Sequence, residues 1–249
     1  MIVDAHVHTG GCYGFTTEDI IRLADRAGFD KIFATDITAL FYDMIEGNAQ
    51  LAKDMKRYPD RIIGYATISS ARYTRAAVDE VRKCYEVYGM RGLKIVHQVV
   101  GLGSYQLLTT LNEPAMYPIV AMAAELGMVI LAHSTPEECA GLIDAVPNAK
   151  ILMAHSGGCP TALGDWFRAI EVAKHYPGIY LDTASSQADM GYIEALVAGV
   201  GAERVIFGTD LPLIDAFFGL AKVTGADLTQ AQKDLILGKN ILRLTGYES

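Results

Sequence analysis

His6 and His8 are separated by one residue, and on a β-strand that spacing turns both imidazoles to the same face. Two imidazoles that converge in this way can share a divalent cation. An isolated His-x-His pair is commonplace and proves little. Here, however, His133, His155 and Asp210 also follow short apolar runs, so neighbouring strands would deliver all five groups to one rim. Nitrogen and oxygen donors without a thiolate suit zinc, iron or manganese better than a structural four-cysteine site. The bland reading of His133 and His155 is core histidines bonded to backbone.

The elements that must position these residues are legible as an alternation. Strands are expected at Ile2–His6, Lys31–Ala34, Ile62–Thr67, Gly92–Val96, Met128–His133, Lys150–Ala154, Gly178–Asp182 and Arg204–Gly208. Most are near-continuous hydrophobic runs, the signature of parallel strands buried on both faces. Helices are expected at Thr17–Ala27, Gly47–Arg57, Tyr73–Tyr88, Glu113–Leu126, Pro136–Ala145, Thr161–His175, Asp189–Val200 and in a C-terminal stretch. Thr135-Pro136 and the Thr229/Gln232 pair are N-terminal capping signals. The longest irregular segment, about Gln98 to Asn112, follows the fourth strand.

The chain has 249 residues, 51% of them hydrophobic and 20% charged, which is ample for a core. A (β/α)8 barrel needs about 250 residues. The expected fold is therefore α/β, a single (β/α)8 TIM barrel forming one domain over residues 1–249. An open doubly wound sheet is the runner-up, but the first turn, Thr9-Gly10-Gly11-Cys12-Tyr13-Gly14, lacks the GxGxxG fingerprint. Barrel enzymes draw their catalytic groups from the C-terminal strand ends. Five of the six histidines (His6, His8, His97, His133 and His155) fall there, and only His175 sits near the end of a helix.

Asp4-x-His6-x-His8, His133, His155-Ser-Gly-Gly and Gly208-Thr-Asp210-x-Pro212, in this order, resemble the amidohydrolase superfamily. Gly92-Leu-Lys94, Tyr180-Leu-Asp182 and Asn240-Ile-Leu-Arg243-Leu point to its amidohydrolase-related branch, which includes aminocarboxymuconate-semialdehyde decarboxylases and pyrone-dicarboxylate lactonases. The resemblance implies one divalent metal, Zn2+ first with Fe2+ or Mn2+ as alternatives, held by His6, His8, His133 and Asp210. A cation lowers the pKa of its bound water from about 15.7 towards about 7, which supplies hydroxide at neutral pH. His155 would then act as general acid/base, and Asp210 would both ligate and accept the water's proton.

Lys94 is ambiguous. In other branches a carboxylated lysine on the fourth strand bridges two metals, and Lys94 would permit that second metal here; an ion pair or a substrate carboxylate are its other roles. His97 lies three residues on, so Lys94 and His97 cannot both point inward from a regular strand. Asp182 can orient a ligating histidine by accepting its ring N–H, or cap the following loop. Arg72 can clamp a substrate carboxylate. Phe41, Tyr42, Tyr105 and Trp166 can wall a ring substrate, while Cys12 and Cys159 read as bystanders.

A net charge of −8 argues against nucleic acid as a partner, and no apolar run reaches membrane-span length. The chain opens without a basic head before an apolar block, so a cytoplasmic location is expected, with scattered free thiols. The expected partner is a small-molecule substrate, and a homodimer is the base-rate assembly. The leading expectation is a metal-dependent hydrolase of an amide, lactone or other cyclic bond. The alternatives are a metal-dependent decarboxylase of an aromatic or unsaturated acid, a metal-free lactonase, and an inactive binding protein.

Overall fold

The structure is a computed structural model that describes residues 1–68, 74–96, 110–159 and 161–247. Its eight strands are β1 (Val3–Thr9), β2 (Lys31–Asp36), β3 (Ile62–Ile68), β4 (Gly92–Val96), β5 (Val129–His133), β6 (Lys150–Met153), β7 (Ile179–Asp182) and β8 (Val205–Ile206). Each pairs in parallel with the next. The first and last also meet: Ala5 N donates to Phe207 O (2.9 Å), Asp210 N to His6 O (2.8 Å) and His8 N to Leu211 O (2.7 Å). The result is the (β/α)8 barrel expected from the sequence.

The helices are α1 (Thr17–Ala27), α2 (Ile37–Phe41), α3 (Met44–Arg57), α4 (Thr74–Glu86), α5 (Tyr117–Glu125), α6 (Pro136–Ala145), α7 (Trp166–His175), α8 (Tyr192–Val200), α9 (Ala216–Thr224), α10 (Gln230–Asp234) and α11 (Asn240–Thr245). Capping boxes start α1 (Thr16 with Asp19), α6 (Thr135 with Glu138) and α10 (Thr229 with Gln232). Helix α2 was not expected. The Asp36 carboxylate caps it by accepting from Thr38 N (2.8 Å), so the chain turns helical as soon as β2 ends. Strand β8 is two residues long where five were expected, because the chain beyond Ile206 bonds to β1 without regular pairing. No helix among the described residues is long and apolar enough to cross a membrane.

Two apolar layers divide the strand side chains. The outer one, which includes Val7, Ile32, Ala34, Ile130 and Ala132, packs against the helices. The inner one fills the barrel with Val3, Ala5, Phe33, Ile63, Tyr65, Val129, Leu131, Leu152, Ala154 and Ile206. Ile241, Leu242 and Leu244 of α11 join it and seal the end opposite the rim that carries His6 and His8. Strand alternation then poses a problem, because Val3 and Ala5 inside would put His6 outside. A β-bulge resolves it. From Asp4 to Val7 β1 advances three residues while β2 advances two, from Ile32 to Ala34. The extra residue inverts the faces, so Val7 joins the outer layer and His6 and His8 turn inward.

Tyr65 lies across the barrel floor, its hydroxyl donating to Ala5 O at 2.9 Å. Gly92 on the neighbouring strand makes room for it, since a Cβ there would stand 2.2 Å from the Tyr65 ring. Because the ring is anchored at its far end, Gly92→Ala is expected to cost about 1–3 kcal/mol through overpacking. That cost would lower the thermal midpoint by about 2–4 °C per kcal/mol in scanning calorimetry. An unchanged midpoint would show that this contact is not tight.

Candidate metal centre

His6 sits at the centre of the rim and is fully buried. Its Nδ1 is 2.7 Å from Asp182 Oδ2. That carboxylate also accepts from His155 N (3.3 Å) and, through Oδ1, from Ala184 N (2.9 Å). A group that accepts from two amides accepts from the imidazole too, so Nδ1 carries the proton and Nε2 the lone pair. Lys94 Nζ, from β4, donates to that Nε2 at 3.0 Å. Asp210 Oδ1 is 3.4 Å from His6 Nε2 and 2.9 Å from His8 Nε2. On its other side, His8 Nδ1 meets the Thr35 hydroxyl at 2.9 Å.

The donor set fits a divalent cation. One ligand atom each from His6, His8 and Asp210 lies within 4.8 Å of the others, all three residues being buried. Ligands about 2.1 Å from one ion stand about 3.0–3.4 Å apart, close to the separations from Asp210 to the two rings. Thr35 suits the exchange of proton for cation on His8, because a hydroxyl can donate to Nδ1 or accept from it. Lys94 and a cation cannot share the His6 Nε2 lone pair, so binding displaces that contact. A second buried group, His6, His155 and Asp182, shares the central histidine.

Burial sets the charges. It holds His6 well below the usual imidazole range, with the Lys94 charge adding to the effect. Burial also pushes His155 down to about 4 and Lys94 down to about 8. It raises Asp182 to about 7. Asp210 feels the same upward push, but the His8 hydrogen bond and the charges of His8, His155 and Lys94 outweigh it and hold the carboxyl low.

His155 reaches the site by an irregular route. Leu152 and Ala154 face inward, so a continued strand would turn His155 outward. Instead β6 stops at Met153, and His155 and Ser156 adopt left-handed backbone, with φ of 56° and 48°. This conformation costs a non-glycine residue about 1–2 kcal/mol. It brings the His155 ring to 4.9 Å from that of His6 and 4.7 Å from that of His133, centroid to centroid. His155 Nδ1 donates to Ala184 O, which leaves Nε2 as the acceptor. Asp210 is left-handed as well, with φ of 65°.

Of the residues expected at the site, His6, His8, His155, Asp182, Asp210 and Lys94 converge. His133 is half-buried at the end of β5, with its ring edge-on to His155. Arg72, His97, Tyr105 and most of the segment after β4 lie outside the described residues. Trp166 stacks on Phe167 at 3.7 Å, while Phe41 and Tyr42 are exposed. Burial raises the thiols of Cys12 and, to about 11, Cys159, which keeps both protonated. Thr35 was missed, and its only signal is a polar residue just past the apolar run of the second strand. Gly208 was quoted only as part of a motif; a Cβ there would stand 2.4 Å from Asp182 Oδ1 and 2.9 Å from His6 Cβ.

The chain is 23% identical over 245 residues to 2-amino-3-carboxymuconate-6-semialdehyde decarboxylase of Dictyostelium discoideum. That match covers 81% of this chain and 66% of the relative's length. A 2,6-dihydroxybenzoate decarboxylase crystallised with 2,6-dihydroxybenzoate superposes with a TM-score of 0.77 at 16% identity, covering 100% of this chain and 99% of the other. A dihydroxybenzoic acid decarboxylase from Polaromonas sp. JS666, with bound manganese and 2-nitroresorcinol, gives 0.77 at 14% identity, covering 100% and 98%. These comparisons overturn the expectation of a hydrolase, since all three proteins are decarboxylases. The physical reason is that histidine and aspartate donors do not encode which substrate bond breaks. The family model described as Amidohydrolase matches residues 3–246, so the chain belongs to the amidohydrolase family.

Proposed function

We propose that this protein is a metal-dependent, non-oxidative decarboxylase of an aromatic or otherwise unsaturated carboxylic acid. The observation that carries this reading is the sequence relative, a decarboxylase matched over 81% of the chain. The buried His6, His8 and Asp210 set supports it as the holder of one divalent ion, with zinc, manganese and iron all suited to such donors. His133, at the same rim, completes the proposed ligand set. When bound, the cation would supply positive charge to stabilise electron density developing on substrate oxygen.

The protein's own groups do the rest. Asp182 fixes the His6 ring by accepting a hydrogen bond from its Nδ1–H. His155 Nε2, left free by the Ala184 contact, would pick up a proton from solvent or from a substrate hydroxyl and return it to the carbon that loses CO2. Bond breaking leaves the electron pair on that carbon, and the returned proton makes the new C–H bond. The Asp182 and Asp210 carboxylates, set against Lys94 and a divalent cation, leave a net positive charge, which suits a monoanionic carboxylate. Lys94 is the buried ammonium beside the donor set that would face it.

Two outcomes follow. Elemental analysis of protein purified without chelators should find about one equivalent of divalent metal, lost in His6→Ala and Asp210→Ala. Asp182→Asn should weaken metal affinity by about 10–100-fold in chelator competition. Metal-free wild-type protein that cannot be reconstituted would overturn the metal assignment. CO2 release should be seen with carboxylated dihydroxybenzenes or aminocarboxymuconate semialdehyde, with one solvent deuteron entering the vacated carbon in D2O. His155→Asn should lower kcat by about 10²–10⁴-fold. Turnover of lactones alone, with no CO2 from any carboxylic acid in the panel, would defeat the proposal.

A further inference from the structure

The chain has no regular structure from Thr183 to Asp189, yet four successive carbonyls, from Asp182 at the end of β7 to Ser185, are held. Asp182 O accepts from Ser156 Oγ at 2.7 Å, and Ala184 O accepts from His155 Nδ1. Thr183 O and Ser185 O both accept from Lys222 Nζ of α9, the first at 2.8 Å. The carbonyls thus alternate, with Asp182 and Ala184 facing the β6 turn and Thr183 and Ser185 facing Lys222. The Lys222 ammonium lies 5.0 Å from the Phe218 ring centroid and 5.7 Å from that of Tyr192. The Tyr192 hydroxyl donates to Ser156 Oγ at 3.0 Å, which ties the two sides together.

This arrangement acts on His155. A carbonyl only accepts, so contact with Ala184 O forces the His155 proton onto Nδ1 and leaves the lone pair on Nε2. The peptide that carries Ala184 O is held at its own amide by Ser185 N, which donates to Thr183 O (2.7 Å). Its neighbours are held by Ala184 N donating to Asp182 Oδ1 (2.9 Å) and Ser186 N donating to Ala162 O (3.1 Å). Lys222 is the one side-chain cation that joins these neighbours, through Thr183 O and Ser185 O. We propose that Lys222 is a positioning residue that holds the β7 loop so that His155 is kept in its Nδ1–H form with Nε2 free. The catalytic consequence rests on the reading of His155 as proton carrier; the tautomer itself does not.

Long-range 1H–15N spectra of the histidine rings test this directly, recorded with and without zinc as a diamagnetic ion. His155 is assigned by the signal lost in His155→Asn. Wild type and Lys222→Arg are expected to show His155 as the Nδ1–H form alone. Lys222→Met, which keeps the stem and removes the donors, should show a mixture containing Nε2–H. With the carboxylic acid substrate, its kcat should fall by about 10–100-fold with KM unchanged, and Lys222→Arg should restore it. Should the methionine variant not fold, Lys222→Gln, whose shorter amide cannot span both carbonyls, should show the same mixing. An unaltered Nδ1–H form in a folded Lys222→Met or Lys222→Gln protein would overturn the proposal. That reading holds even if no decarboxylation is found, so the two failures are distinguishable.

Discussion

His6 is wedged between a carboxylate and an ammonium inside a barrel that excludes water. Asp182 accepts a hydrogen bond from its Nδ1–H, Lys94 faces its lone pair at Nε2, and Asp210 stands just beyond. Ions this deeply buried are tolerable only where each finds an opposite charge or a proton to share. Much of the rim follows from meeting that requirement. The bulge in β1 turns His6 inward, Gly208 leaves room for Asp182 against it, and the left-handed turn at His155 supplies an amide to the same carboxylate.

The barrel was legible because parallel strands buried on both faces write themselves as apolar runs. Helices α6 and α10 announced their starts through Thr135-Pro136 and the Thr229/Gln232 pair. The rim residues were legible because chemistry-bearing side chains cluster where those runs stop. The manner of their delivery was hidden. His-x-His predicted a shared face, but the bulge that makes it the inner face leaves no trace in residue type. Left-handed backbone at His155 and Asp210 is equally silent, since such strain is sustained by surrounding contacts. Lys222 lies 67 positions beyond His155, and its role depends on carbonyls that no side-chain pattern records.

The choice between breaking a C–N or C–O bond and releasing CO2 was beyond the sequence for a different reason. Both reactions ask the site for a cation, a positioned proton carrier and an anion-tolerant cavity. They differ in where the substrate's scissile bond lies, which is a matter of the walls above the centre rather than the centre itself.

The α11 seal carries a consequence for traffic. Ile241, Leu242 and Leu244 cork the far end of the barrel, and Tyr65 lies across the floor above them. On the proposed function, reactant and product would therefore enter and leave from the end that carries His6 and His8. In the proposed reaction, CO2 as a small neutral gas would slip past a ring still filling the vestibule, whereas the larger product would have to depart before a new molecule enters. For that reaction the order of departure would be set at the mouth, while the opposite end of the barrel stays shut.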